Sequence, residues 1–324
     1  MRYSEAYRSR RPLCSFVLIA ALLFMAAGRA ASAEDVALTF DDLPTLALTR
    51  SFAYADLTTV RLLDGLRRHR IPATGFVNED KLEGSDKAAR IALLTNWLDS
   101  GMDLGNHGYS HLSLNKTPLN VYIADVARGG VVTTALLKAR GRALRWFRYP
   151  YLETGLTAET RHTFENWLAA HGYRVAPVTM ENSDWMFAPP YDNAILHSDA
   201  ADAGRIRQSY LDYTAKMVSW YRQAGMSLLS RRMPFVFLLH ATRLNADCID
   251  QLAVILRANQ LRPTTLDNVM KDSAYRIPDT YIGPDGDEWL SRWSLTLHKD
   301  LPWDSFVDPP KDIQDEYNRL DSSP

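Results

Sequence analysis

The chain has 324 residues, 46% hydrophobic and 23% charged, enough to bury a sizeable core beneath a solvated surface. Its 37 basic and 38 acidic residues leave a formal net charge of −1, which removes any electrostatic case for a nucleic-acid partner. Recognition of any substrate has to come from local groups.

Residues 1–33 read as an export signal. Arg2, Arg8, Arg10 and Arg11 make a positive start, an apolar run from Leu13 to Gly28 follows, and Ala31-Ser32-Ala33 has the small-x-small form that a signal peptidase cuts after. The apolar run is shorter than the about 20 residues of a membrane span, which leaves an uncleaved anchor as the lesser alternative. The expected mature chain starts at Glu34, is periplasmic or secreted, and has no stable membrane span. Cys14 leaves with the signal, so Cys248 stands alone and cannot close an intramolecular disulfide.

From Glu34 onward short apolar runs alternate with helical stretches. Expected strands are Val36–Thr39, Ala73–Val77, Asp103–Gly105, Trp146–Arg148, Arg174–Val178, Phe235–Leu239 and a weaker one near Leu261–Thr264. Most are brief and apolar or β-branched, as in strands buried on both faces. Leu57, Val60, Leu63 and Leu66 recur at near-helical spacing, as do Ile91, Leu94 and Leu98, with Gly101 placed to end that helix. Further helices are expected over Leu119–Lys138, from a Thr157 cap to His171, over Ile206–Leu229 and over Ile249–Gln260. Alternation of this kind implies parallel pairing through crossovers. Seven units suffice to close a barrel, although a doubly wound open sheet would alternate in the same way. No interdomain linker stands out, so residues 34–275 are expected to form one α/β domain. Residues 276–324, rich in Asp, Gly, Pro and Trp, are expected to form an irregular extension that wraps the domain or frays.

The polar residues at the expected strand ends carry the chemistry. The run Val36–Phe40 leads straight into Asp41-Asp42, and two adjacent carboxylates beside a buried strand are costly unless paired or bound to a cation. A lone Asp-Asp is more often a turn or a helix cap. His107 and His111 follow the third strand four residues apart; placed on one face of a helical turn, both imidazoles could reach one metal ion. Two imidazoles, one carboxylate and a water form a catalytic-zinc pattern. Arg148 stands at a proline-fixed turn, Phe147-Arg148-Tyr149-Pro150-Tyr151, and His240 ends the apolar run from Phe235. Singly, either could be a structural residue.

Taken together, these segments resemble the polysaccharide deacetylase family, carbohydrate esterase family 4. Thr39-Phe40-Asp41-Asp42, His107-Gly108-Tyr109-Ser110-His111, Arg148-Tyr149-Pro150-Tyr151, Glu181-Asn182-Ser183-Asp184-Trp185 and Leu238-Leu239-His240 match its five motifs in family order, from Val36 to about His240. The resemblance implies a distorted (β/α) barrel of about seven parallel strands. It also implies that Asp42, His107 and His111 hold one divalent metal, usually zinc, although cobalt or another divalent ion suits the set. Asp41 would be the general base, with Arg148 paired to it. The Tyr151 N–H would help stabilise the oxyanion, and His240 would be the general acid. Where the family has an aspartate that tunes the acid, this chain has Glu181, one methylene longer, and Asp184 is the alternative. Of the nearby aromatics, Trp185 is expected to line the pocket.

The function implied is hydrolysis of N-acetyl groups on an amino-sugar polymer or oligomer, of peptidoglycan or chitin type. Two alternatives accompany it: the same metal chemistry on an O-acetyl ester or a non-sugar amide, and a carbohydrate-binding protein without catalysis.

Overall fold

A computed structural model describes residues 33–321; the expected signal segment, apart from Ala33, lies outside them. The first strand, β1 (Glu34–Leu43), is buried along almost its whole length: Val36, Ala37, Leu38, Thr39 and Phe40 are each no more than 1% exposed. Neighbouring residues buried on opposite faces require a central strand, and β1 is one. It pairs in parallel with β2 (Ala73–Val77), and β2 pairs with β3 (Asp103–Asn106). β4 (Trp146–Phe147) and β5 (Arg174–Val175) extend that side. On its other partners β1 meets β6 (Phe235–His240) and β7 (Leu261–Pro263), also in parallel. All seven expected strands are present.

The hydrogen-bonded path runs β5-β4-β3-β2-β1-β6, with β7 on the start of β1. The two ends of the path then approach each other. Met180, beyond β5, forms a parallel bridge with Phe237; its N–H donates to Val236 O at 3.1 Å and its carbonyl accepts from Leu238 N at 2.9 Å. The sheet is therefore curled into a distorted barrel in a single domain, as expected, with short strands and an irregular seam.

Helices cover the outside. α1 (Phe52–Arg68) is capped by Ser51, and α2 (Lys87–Asp99) ends two residues before Gly101, whose φ is +81°. The helix expected over Leu119–Lys138 is two, α3 (Leu119–Arg128) and α4 (Val131–Lys138), broken at Gly129-Gly130. α5 (Ala158–Ala170) starts at the Thr157 cap. Then come α6 (Asp184–Leu196), α7 (Ala200–Leu229), α8 (Arg243–Ala258) and the single turn α9 (Leu266–Val269). Among the described residues no helix is long and apolar enough to cross a membrane.

The segment after Pro278 is more ordered than its composition suggests. It contains α10 (Trp289–Leu297) and α11 (Lys311–Asp321). Trp289, Leu290 and Trp293 are buried in the main core, which supplies the apolar contact that a weak local pattern did not reveal.

Candidate active site

The polar residues named from sequence gather at the C-terminal ends of the strands. Asp41 and Asp42 lie just before the end of β1, and Asp41 stands in register with His240 on β6. His107 follows β3 directly, its N–H donating to Val77 O at 3.0 Å. Arg148 follows β4, its N–H donating to Asn106 O at 3.0 Å.

His107 and His111 do not share a helical turn. The stretch is an open loop in which Gly108 has φ +76° and His111 φ +53°, values incompatible with a helix. Asp125 holds it from α3, accepting from Tyr109 N at 2.9 Å and from Ser110 N at 3.1 Å. The break at Gly129 is part of the same fit: a Cβ there would stand 2.4 Å from Gly108 C and from Tyr109 N. The imidazoles nevertheless meet, with ring centroids 4.8 Å apart.

Ligand atoms of Asp42, His107 and His111 all lie within 4.8 Å of one another. His107 Nδ1 is 2.9 Å from the Arg148 carbonyl oxygen. A carbonyl can only accept, so Nδ1 carries the proton and Nε2 is left with its lone pair. Burial pushes both imidazoles down to about 4, against the pull of Asp42. Burial alone would raise the Asp42 carboxyl, but Lys81, His111 and His107 outweigh it and hold it well below the usual carboxylate range. Two neutral imidazoles and an ionised carboxylate are the donor set of a divalent cation, so the residues fit the metal. One group works against it. Lys81 Nζ stands 3.0 Å from Asp42 Oδ1, the oxygen that lies 3.9 Å from His111 Nε2, and a cation there competes with an ammonium.

Asp41 is buried beside this cluster, Oδ2 at 3.7 Å from His107 Nε2. Arg148, fully buried, donates from Nη1 to both Asp41 oxygens at 3.2 and 3.3 Å. Its other donors reach Thr39 Oγ1 at 3.1 Å and Ala176 O at 2.8 Å, which fixes the guanidinium plane. Burial raises the Asp41 carboxyl and Arg148 opposes that rise.

His240 has a carboxylate partner, and it is Asp184 instead of Glu181. Asp184 Oδ1 is 2.8 Å from His240 Nδ1, and Asp184 Oδ2 accepts from His240 N at 2.7 Å. Asn245 on α8 also bonds Asp184, and donates to His240 O at 2.9 Å. Burial disfavours the imidazolium, but Asp184, then Asp42 and Asp41, outweigh it and push His240 up to about 9. Glu181 Oε2 accepts from Ser183 N at 2.7 Å and Oε1 from Tyr221 Oη at 3.4 Å; burial raises its carboxyl. The expectation for Glu181 is thereby corrected. The longer side chain is engaged by its own loop and by α7, while the first residue of α6 supplies the anion.

Tyr151 has φ +56° and its ring packs edge-on against His111, centroids 4.4 Å apart. Trp185 is 37% exposed and packs edge-on against Tyr317 of α11 at 5.2 Å. The other aromatics in or near the matched segments, Tyr109, Tyr149, Phe187 and Tyr191, are buried and pack in the fold, whereas Tyr151 and Trp185 are exposed. A cavity of about 120 Å³ at the opposite end of the strands shares no residue with this cluster, and its charges pair with one another, Arg142 with Asp103 at 2.6 Å and Arg145 with Asp267 at 2.7 Å.

Sequence reasoning missed Lys81, whose reach to Asp42 depends on the 3₁₀ turn Glu79–Leu82. It also missed Asn245, since an asparagine within a helix gives no signal of a distant partner.

Residues 28–176 match the family model described as polysaccharide deacetylase. No curated protein matches the chain significantly. Among solved structures, a mutant of BA3943, a carbohydrate esterase family 4 pseudoenzyme from Bacillus anthracis with restored enzymatic activity, aligns at 16% identity and a TM-score of 0.50, covering 74% of this chain and 68% of that one. A family 4 carbohydrate esterase from Streptomyces lividans in complex with acetate aligns at 21% identity and a TM-score of 0.48, covering 74% and 97%. The peptidoglycan deacetylase PdaC from Bacillus subtilis aligns at 20% identity and a TM-score of 0.48, covering 75% and 93%. At these identities the likeness is one of fold. The resemblance to the polysaccharide deacetylases is thus borne out by the family's own model over residues 28–176, which hold the first three of the five motifs, and by a shared barrel fold.

Proposed function

We propose that this chain is an exported, metal-dependent deacetylase that hydrolyses N-acetyl groups on an amino-sugar polymer or oligomer. One observation carries the reading: a base–arginine pair, a three-ligand cluster and a histidine acid with its own carboxylate converge at one end of one barrel. A fold shared with a pseudoenzyme cannot distinguish catalysis from binding, but the intact set of Asp41, Asp42, His107 and His111 supports catalysis.

Asp42, His107 and His111 would hold the divalent ion, for which zinc is the first choice. When bound, such an ion polarises the acyl carbonyl and acidifies water. The chain's own residues do the rest. Arg148 aims Asp41, which takes the proton of the attacking water. The Tyr151 N–H donates to the oxygen on which negative charge develops. His240, held as imidazolium by Asp184, gives its proton to the departing amine. Acetate and the free amino sugar leave. The N-terminal signal supports export, which N-terminal sequencing of the protein recovered outside the cytoplasm would test.

Asp41→Asn is expected to lower acetate release by about 10²–10⁴-fold while one equivalent of metal still binds. Near-normal turnover in that variant would assign the base elsewhere. Comparing chitooligosaccharides with acetylxylan would distinguish amide from ester chemistry.

A further inference from the structure

The turn that presents Tyr151 is strained. Tyr151 and Leu152 are consecutive non-glycine residues in the left-handed region, φ +56° and +55°. Each costs free energy that its surroundings must offset. The turn's own bonds, Leu152 N to Tyr149 O at 3.1 Å and Glu153 N to Pro150 O at 3.2 Å, come from within the same short segment. Glu153 is also held from the loop after His111, accepting from Ser113 Oγ at 2.5 Å and from Asn115 N at 3.2 Å, and further support comes from far along the chain. Arg292, on α10 and fully buried, donates from Nη2 to Leu152 O at 2.6 Å and from Nη1 to Thr154 Oγ1 at 2.8 Å. The same guanidinium is fixed by Asp287 O at 2.7 Å and Asp279 Oδ2 at 3.1 Å, and Asp279 is fixed in turn by Arg161 at 2.8 Å.

The loop before α10 lies directly on the turn. A Cβ on Gly286 would stand 1.7 Å from the Tyr151 carbonyl oxygen, so only glycine allows this approach. Asn115, four residues beyond His111, donates to Pro284 O at 3.0 Å, and Trp289 N bonds Val178 O at 2.6 Å. The loop is thereby tied to the second motif on one side and to the barrel seam on the other.

We infer that the segment 279–292 is a clamp on the Tyr151 turn, and that Arg292 and Gly286 are positioning residues for the reaction. Neither lies within the stretch that matches the family model, and Arg292 is fully buried beneath the turn. They act through Tyr151: the clamp fixes the direction of its N–H and the seat of its ring on His111. The effect on rate rests on the proposed deacetylation; the effect on the turn does not.

The test uses the full chain with Arg292→Lys and Gly286→Ala. Lysine keeps the charge but cannot bond Leu152 O, Thr154 and Asp287 O together. In Gly286→Ala the new methyl displaces the loop from the turn, and because Gly286 is exposed whereas Arg292 is fully buried, it is the milder of the two substitutions. Hydrogen exchange of peptides spanning 148–156, zinc stoichiometry, and kcat and KM for acetate release are measured together. The clamp predicts about tenfold faster exchange in 148–156 alone, and a kcat lowered about a hundredfold with KM and bound zinc unchanged, the scale of a misplaced catalytic group. Unchanged exchange and unchanged kcat in a folded variant overturn it. So does a loss of kcat in proportion to lost zinc, which would make these residues merely structural. If the wild-type chain releases no acetate, the proposed function fails and exchange alone decides the clamp: faster exchange supports it and unchanged exchange overturns it.

Discussion

His240 and Asp184 show how one partner sets the chemistry of a residue. An isolated imidazole titrates near ~6.5 and would be mostly neutral in neutral solution. With Asp184 at 2.8 Å it is pushed up to about 9 and stays protonated there. Activity that needs the imidazolium should therefore hold through neutral pH and fall as pH rises through about 9. Asp184→Asn removes the carboxylate, so the alkaline fall in kcat should move down by at least about one pH unit. Glu181→Gln should leave that fall in place. Equal shifts in the two pH–rate profiles would contradict the assignment. The same pair has a stability consequence: its contribution is complete below ~6.5, where both folded and unfolded imidazoles are protonated, and is lost as pH rises through the folded value. Lys81 offers a second test at this scale. Its ammonium holds Asp42 Oδ1 at 3.0 Å, so Lys81→Met should tighten zinc binding, on the order of fivefold for a part-exposed pair. Titration calorimetry would show it, and weaker binding would mean that Lys81 supports the metal site.

At the scale of elements, the strands were legible because their burial is two-sided. Runs such as Val36–Phe40 and Phe235–Leu239 have no polar alternation, and each ends at the polar residue that the site uses. The loop carrying His107 and His111 was not legible as a loop. Spacing of four suits a helix, and only the positive φ at Gly108 and His111 and the grip of Asp125 exclude it. α6 was hidden for the opposite reason: Pro189 and Pro190 stand inside it, where sequence rules argue against any helix. Missing α6 made it harder to see that Asp184 opens a helix and faces His240, while the family pattern drew attention to Glu181. The two-glycine break between α3 and α4 carries a prediction. Gly129→Ala would drive a methyl to 2.4 Å from the backbone of Gly108 and Tyr109. It should cost about 1–3 kcal/mol of stability and weaken metal binding by displacing His107 or His111. Thermal melts with and without zinc would reveal both effects, and a wild-type melting temperature would show that the loop has room to move.

For the molecule as a whole, the barrel is an uneven one. β1 is central and long, whereas β4 and β5 are two residues each and the seam runs through Thr179 and the bridge between Met180 and Phe237. Short strands on that side leave room for the turn at Tyr151 and for the C-terminal segment that packs onto it. The expected division at residue 275 is therefore better seen as a change of role than of compactness, since Trp289, Leu290 and Trp293 belong to the same core as β1 and β6. Composition could not show this, because a segment rich in Asp, Gly and Pro owes its order to contacts made elsewhere. The most direct measurement is acetate release from N-acetylglucosamine oligomers by the chain from Glu34, with chelator, without it, and after zinc is returned. Release that stops on chelation and resumes with zinc is the expected result; release that persists in chelator would contradict a site built on Asp42, His107 and His111.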